Sequence, residues 1–356
     1  MRKILLKNGK IFDGEQFLYG SVLTEGEKIA AIGEVEAPED ALVIHASGCI
    51  VCPGLVDIHT HLSEMSGEPF GFPATLATIP FGVTAAVEAC AVLSAEKSAD
   101  LPLKTGALVP LSLKDGAIDY PTMEKRLADF GARSFGVKIY FDTAQASLCT
   151  VEQIAEISAY AKNHGLRTMV HCTNAPVPMT ELVSALNEGD IITHAYHGAP
   201  HTIAEDDFAA YKLAKAKGIY IDLGMAGEVH ADLSVLKKAI AEGYLPDVIS
   251  TDITQFSAYI RGGIYGLPMC MSICRALGMK EIDLLRAVTS LAAKAVKREG
   301  EWGTLAANRA ADIAVLSFGD IEVDMKDRWG NDLKLHEGYK THMTILNGQI
   351  LYRSGI

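Results

Sequence analysis

The chain has 356 residues, 49% of them hydrophobic and 21% charged, and a formal net charge of −12. That composition excludes disordered and fibrous chains, and an acidic chain without a basic stripe is a poor partner for nucleic acid or anionic membrane. The length suits one α/β barrel carrying a small accessory domain.

Met1-Arg2-Lys3 is basic, but the apolar stretch Ile4-Leu5-Leu6 stops at Lys7, which is too short for a signal peptide. No window approaches a membrane span, so a soluble cytoplasmic enzyme is expected. The N-terminal segment then reads as short strands. Residues 4–12 carry an Asn8-Gly9 hairpin signal, and further strands are expected at 21–24 and 28–32. Cys49 and Cys52 have redox or zinc spacing, yet no second pair matches them. With Cys90, Cys149, Cys172, Cys270 and Cys274 they make an odd set of seven scattered through apolar segments, which points to reduced, buried thiols.

From residue 54 to 297 short apolar strands alternate with helical patterns. The strand candidates are 55–61, 83–89, 107–113, 136–141, 167–172, 191–196, 219–224 and 248–253. One intervening helix is spelled out at 151–164, where Thr150 can cap the start, Gln153 stands at the reciprocal position and Gly165 ends it. Eight strands alternating with helices predict a (β/α)8 TIM barrel. Strand texture returns at 312–317, 343–346 and 349–352, with an Asn347-Gly348 turn. Both chain ends are therefore expected to build one small β-sandwich domain, residues 1–52 with 303–356, around a barrel of residues 53–302.

The chemistry-bearing residues fall at the ends of the barrel strands, where enzymes of this architecture keep their sites. His59 and His61 are two apart on the first strand and share a face. Lys138 interrupts the apolar run 135–141; Val137, Ile139 and Phe141 have the parity of the helix-facing side, while Lys138 and Tyr140 share the inward parity. His171 and His194 end consecutive strands, and neutral imidazole is a common ligand for zinc-like ions. Asp252 ends the eighth strand, which abuts the first. Each has a structural alternative: a polar pair at a strand end, a lysine that snorkels to water, satisfied core histidines, and a helix N-cap.

Together these residues form an ordered set, and by this set the sequence resembles the amidohydrolase superfamily in its binuclear form with a carboxylated lysine. The Pro53-Gly54-Leu55-Val56-Asp57 lead-in to His59, Ser250-Thr251 before Asp252, and Gly303-Thr304-Leu305 followed by 310–315 also match. The resemblance implies two divalent metal ions, with zinc as the expected metal. His59, His61 and Asp252 would hold the more buried one, and His171 and His194 the more exposed one. A carbon dioxide-derived carbamate on Lys138 and a hydroxide would bridge them. It implies hydrolysis of an amide bond in a small-molecule substrate, with Asp252 moving the proton. Tyr140 is either an oxyanion donor or a barrel-filling aromatic. His197 and His201, after the sixth strand, are candidates for orienting substrate or its supporting groups, with surface loop histidines as the alternative; His230 is a candidate for the lining of the mouth, and Arg261 for a clamp on a substrate carboxylate, with a surface salt bridge as the alternative. Family habit implies a homo-oligomer.

Within the superfamily the texture is similar to dihydroorotase-like, hydantoinase-like and deacetylase-like enzymes. Residues 283–289 look like the deacetylase group. Ser63 stands where dihydroorotases carry an arginine, which argues against dihydroorotate as substrate. The rival readings are a one-metal nucleobase deaminase, for which Lys138 would be superfluous, a lactone or ester hydrolase with the same site, and a non-catalytic scaffold.

Overall fold

The computed structural model describes residues 2–67, 69–144, 148–260 and 266–354. Arg261, the expected carboxylate clamp, lies outside the described residues. In chain order the strands open with β1 (Lys3–Phe12), β2 (Phe17–Glu25), β3 (Lys28–Gly33), β4 (Ala41–His45) and β5 (Ile50–Pro53). There follow β6 (Leu55–Thr60), β7 (Val83–Glu88), β8 (Lys104–Pro110) and the small hairpin β9 (Leu113–Lys114) and β10 (Ala117–Ile118). Next come β11 (Ser134–Tyr140), β12 (Arg167–His171), β13 (Ile191–Thr193) and β14 (Tyr220–Asp222). The chain closes with β15 (Ile313–Lys326), β16 (Asp332–Leu346) and β17 (Gln349–Arg353).

The two chain ends meet in one mixed sheet of order β17-β16-β15-β5-β1-β2-β3, with β4 also paired to β1. Strand β5 joins them, lying antiparallel to β15 and parallel to β1. The Asn8-Gly9 pair does not turn the chain as its dipeptide signal suggests. It sits within β1 as a bulge, where the register against β2 jumps between Leu6 and Gly9. Asn8 takes a left-handed φ of 60°, and Gly9 lies so close to Val51 that a Cβ would come within 2.7 Å of its Cγ2. Asn347-Gly348 does turn the chain, with both residues at positive φ between β16 and β17.

The middle of the chain forms a curled parallel sheet of order β14-β13-β12-β11-β8-β7-β6. The segment 248–253 lies between its two edges. Val248 bridges Asp222 and Ile253 bridges Thr60, both in parallel sense. Backbone bonds follow on each side: Leu223 N to Val248 O and Met225 N to Ser250 O, then Asp252 N to His59 O and His61 N to Ile253 O.

Side-chain parity sorts the core into two layers. Val137, Ile139 and Phe141 pack outward among helix residues such as Met123, Ile154 and Leu182. Val56, Ile58, Val87, Leu108, Met169, Ile191 and Val248 fill the inside of the curled sheet, with Ala292, Val296 and Trp302 packed against them. The helix Val151–Asn163 carries the capping box read from Thr150 and Gln153. Among the described residues no helix is long and apolar enough to cross a membrane.

Gly136 shows how tightly β11 is seated. A Cβ there would lie 1.8 Å from the carbonyl oxygen of Arg167 on β12, two residues before Lys138. Gly136→Ala must push these strands apart, at a cost of about 1–3 kcal/mol. The expected readout is a lower denaturation midpoint by circular dichroism. An unchanged midpoint would show that β11 and β12 are not held in this register.

Candidate metal centre

The inward-facing side chains converge above the apolar filling of the curled sheet. On β6, His59 is buried and places Nε2 3.2 Å from Asp252 Oδ1. His61 Nε2 lies at the same 3.2 Å from that oxygen. Lys138 comes up from β11, its amine 2.9 Å from His59 Nε2 and 3.5 Å from Met169 Sδ just below. His171 and His194 follow from β12 and the end of β13, with ring centroids 4.4 Å apart. The structure thus brings together His59, His61, Lys138, His171, His194 and Asp252.

Two of these residues reach the site only by leaving the strand conformation. His194 and Asp252 have φ of 65° and 48°, in the left-handed region that side chains other than glycine rarely adopt. The turn at each strand end redirects the side chain into the mouth. Backbone bonds hold both: Asp252 N donates to His59 O at 2.8 Å, and the carbonyl of Gly224 lies 2.7 Å from His194 Nδ1.

A second ring of polar groups holds the outer edges. His59 Nδ1 meets Thr193 Oγ1 at 2.8 Å; that hydroxyl donates to Asp222 at 2.7 Å, and Ser250 donates to the same carboxylate. Asp57 accepts from Thr251 N at 3.1 Å and Thr251 Oγ1 at 2.6 Å, which ties the segment 248–253 to β6. The Asp57 and Ser250-Thr251 lead-ins noted in the sequence are these bonds. Glu88, fully buried, accepts from Leu62 N and Cys90 N and places an oxygen 3.3 Å from His61 Nδ1.

Electrostatics follow from burial and from crowding of like groups. Burial, and then the neighbouring Lys138, push His59 down to about 4. Burial also pushes the Lys138 amine down to about 8, against the pull of Asp252 and Asp222. His194 is driven well below its ordinary value by burial and three nearby imidazoles. Burial alone would raise Asp252, but His59, His61 and His230 hold it well below the usual carboxylate range. His61 is desolvated too, yet its contacts with Asp252 and Glu88 outweigh that and raise it to about 9.

Sequence reasoning placed His230 only at the mouth. It lies in the site: its ring stacks on His194 at 4.0 Å, its Nε2 is 3.6 Å from Asp252 Oδ2, and its Nδ1 is 3.0 Å from Thr173 Oγ1. No strand parity marks it, since it follows the irregular stretch after β14. Tyr140 is 46% exposed and stacks on His171 at 4.1 Å, so it lies beside the cluster at the open end and is no part of the apolar filling of the curled sheet. Burial, with Asp142 and Asp252 nearby, pushes its hydroxyl up to about 12. His197 is buried; its Nδ1 lies 2.6 Å from Gly198 O and its Nε2 has no hydrogen-bond partner among the described residues. His201 stands apart, 3.9 Å from Glu205. Ser63 donates to Glu64 at 3.0 Å.

The donor set fits divalent cations. His171, His194 and His230 form one group whose ligand atoms lie within 4.8 Å of one another, and His59, His194 and Asp252 form another. Among the described residues the buried His61 Nδ1 and His171 Nε2 make no well-aligned hydrogen bond, although Glu88 lies 3.3 Å from the first and Asp142 3.4 Å from the second. A desolvated cluster of imidazoles converging on Asp252 is costly unless something binds the nitrogens that face it.

Comparison with known proteins gives a family and a fold. The amidohydrolase family model matches residues 50–351. A deacetylase of Agrobacterium fabrum is 25% identical over 92% of this chain and 85% of its own. A dihydroorotase of Syntrophotalea carbinolica is 24% identical over 99% of each chain. Among solved structures, a dihydroorotase superposes with a TM-score of 0.86 at 23% identity, covering 99% of this chain and 98% of that one. An adenine deaminase gives the same score at 21% identity, covering 99% of this chain and 100% of that one.

Thr193 carries the contact between His59 and Asp222. Thr193→Val keeps the shape and removes that contact, so metal affinity is expected to fall about 10- to 100-fold. Competition with a chromophoric chelator measures it. Unchanged affinity with an intact fold would mean that Thr193 does not orient His59.

Proposed function

Because this chain belongs to the amidohydrolase family, we propose that it hydrolyses the amide of an N-acyl or cyclic compound with two divalent cations at the mouth of a (β/α)8 barrel. In this reading residues 53–302 are the catalytic barrel, closed by the segment 248–253. Residues 1–52 and 303–356 form the composite β domain.

The observation that carries the reading is Lys138. A lysine whose amine sits 2.9 Å from His59 Nε2, inside a cluster of imidazoles, is a poor structural choice. Burial lowers its pKa to about 8, so neutral amine is available near neutral pH. Addition of carbon dioxide to that neutral amine, with loss of one proton, would give an anionic carbamate able to serve as a ligand to both donor groups' cations. His59, His61 and Asp252 would then hold one cation and His171 and His194 the other.

When bound, such a pair supplies hydroxide near neutral pH and a Lewis acid for the carbonyl, with zinc the metal best matched to imidazole and carboxylate donors. The chain's own groups do the rest. Asp252, held ionised by its imidazole neighbours, takes the proton of the attacking water and passes it to the leaving nitrogen. Tyr140 keeps its phenolic proton and is placed to donate to the carbonyl oxygen as negative charge develops there. His197, with one ring nitrogen fixed and the other free, is assigned to the substrate pocket.

The His171, His194 and His230 group also favours a second reading, a site for one cation and a deaminase reaction. Metal analysis separates the two: about two ions per chain support the bridged pair, and one ion with ammonia release from a nucleobase supports deamination. Metal-loaded protein should be screened against N-acyl amino acids, hydantoins, dihydropyrimidines, lactones and esters. Inertness of the loaded protein across all of them would overturn the hydrolase assignment, and cleavage of lactones or esters alone would move it to another bond.

Lys138→Ala is expected to lose both turnover and part of its bound metal. Asp252→Ala should lower kcat by at least about 10²–10⁴-fold, the range of a lost general base. If Lys138→Ala kept two ions and full turnover, Lys138 would not bridge.

A further inference from the structure

The long hairpin of β15 and β16 carries its tip, residues 327–331, across to the loops that follow β13 and β14. Asp327 is buried at the tip and accepts from Leu233 N at 2.8 Å, Trp329 N at 2.9 Å and Asn331 N at 2.9 Å. Asn331 bonds Asp232, and Arg328 N donates to Glu228 O at 3.1 Å. Trp329 packs so closely on Gly198 that a Cβ there would meet its Nε1 at 2.3 Å. The tip is therefore fixed to the catalytic half at several points.

That fixture holds one exposed cation. The Arg328 guanidinium donates to Asn174 Oδ1 at 3.1 Å and lies 4.5 Å from the centre of the Trp329 ring. Asn174 in turn donates to Asp142 at 3.2 Å, and Asp142 is 3.4 Å from His171 Nε2. The guanidinium is also among the charges felt by Tyr140, His197 and His230. Among the described residues no carboxylate pairs with it. In a chain of net charge −12 an arginine anchored by a neutral amide and an aromatic face is notable for what it leaves free. Two parallel N–H groups on such a planar fork match a carboxylate.

We propose that Arg328 determines specificity by binding the carboxylate of an anionic amide substrate, of which an N-acyl α-amino acid is the simplest form. This rests on the amide-hydrolase reading and narrows it to substrates that carry a negative charge beside the scissile bond. The anchoring by Asn174 and Trp329 orders the side chain before substrate arrives, so little rotamer entropy is lost on binding.

The test compares N-acetylalanine, N-acetylmethionine and N-acetylglutamate with their α-carboxamides, using metal-loaded wild type, Arg328→Gln and Arg328→Lys. Wild type should prefer each acid over its carboxamide in kcat/KM. Arg328→Gln should shrink that preference about 10- to 100-fold, chiefly through KM, as expected for a lost hydrogen bond to a charged group. Arg328→Lys should fall between, because it keeps the charge and loses the fork. A preference unchanged in Arg328→Gln, or no preference in wild type, overturns the proposal while leaving amide hydrolysis in place. Calorimetry with N-acetylalanine gives an independent reading. Binding to wild type that weakens at least tenfold in Arg328→Gln supports the proposal even if no amide is cleaved, in which case it is the hydrolase reading that fails. Equal binding to both proteins, or none to wild type, overturns it.

Discussion

Five imidazoles, one amine and the Asp252 carboxylate share a small, largely buried volume, and the rest of the molecule is arranged to make that tolerable. Desolvation works against every charged form in the group, and crowding of like donors adds to it. The surrounding shell answers from outside. Thr193, the Gly224 carbonyl and Thr173 each take the Nδ1 edge of one imidazole: His59, His194 and His230 respectively. The opposite Nε2 edge of each ring points toward Asp252. A set of rings clamped on one edge and converging on a shared carboxylate with the other is a template for cations, and removing a clamp loosens the template.

The two sheets divide the labour that this imposes. The parallel sheet sets parity: outward residues pack under the helices, inward residues fill the lower interior, and the polar side chains gather at one end. The mixed sheet is joined to it through Gly54, which leads from β5 into β6 and whose N–H donates to Asp312 O at 2.9 Å. Its β15–β16 hairpin reaches the loops after β13 and β14 through Asp327, Arg328, Trp329 and Asn331. One strand pair thus links the mixed sheet to the rim of the site.

Much of this was legible because strand chemistry has a strict period. His59 with His61, and Lys138 with Tyr140, could be assigned to one face by counting in twos, and the geometry agrees. The outer apolar residues Val137, Ile139 and Phe141 followed by the same rule. What was not legible lies where the period stops. His230 enters the site through a loop in which Ala226 has a φ of 48°, and no local pattern reports that turn. Asn8-Gly9 departs from the hairpin its dipeptide suggests because left-handed Asn followed by Gly serves a bulge as well as a hairpin, and only the pairing partner decides which. The long hairpin had a usable signal in the alternation of Ile321, Val323 and Met325 with charged residues, but its reach to the rim depends on tertiary contacts of Asp327 that no sequence pattern encodes.

The left-handed backbone at His194 and Asp252 has a consequence for how the chain matures. Unfavourable dihedrals at two donor positions, each worth of order 1–3 kcal/mol, make the apo-protein a tensioned scaffold. An ion that binds only the folded form offsets that tension by mass action. An ion taken up at these donors would thus count toward the stability of the folded chain as well as toward its chemistry.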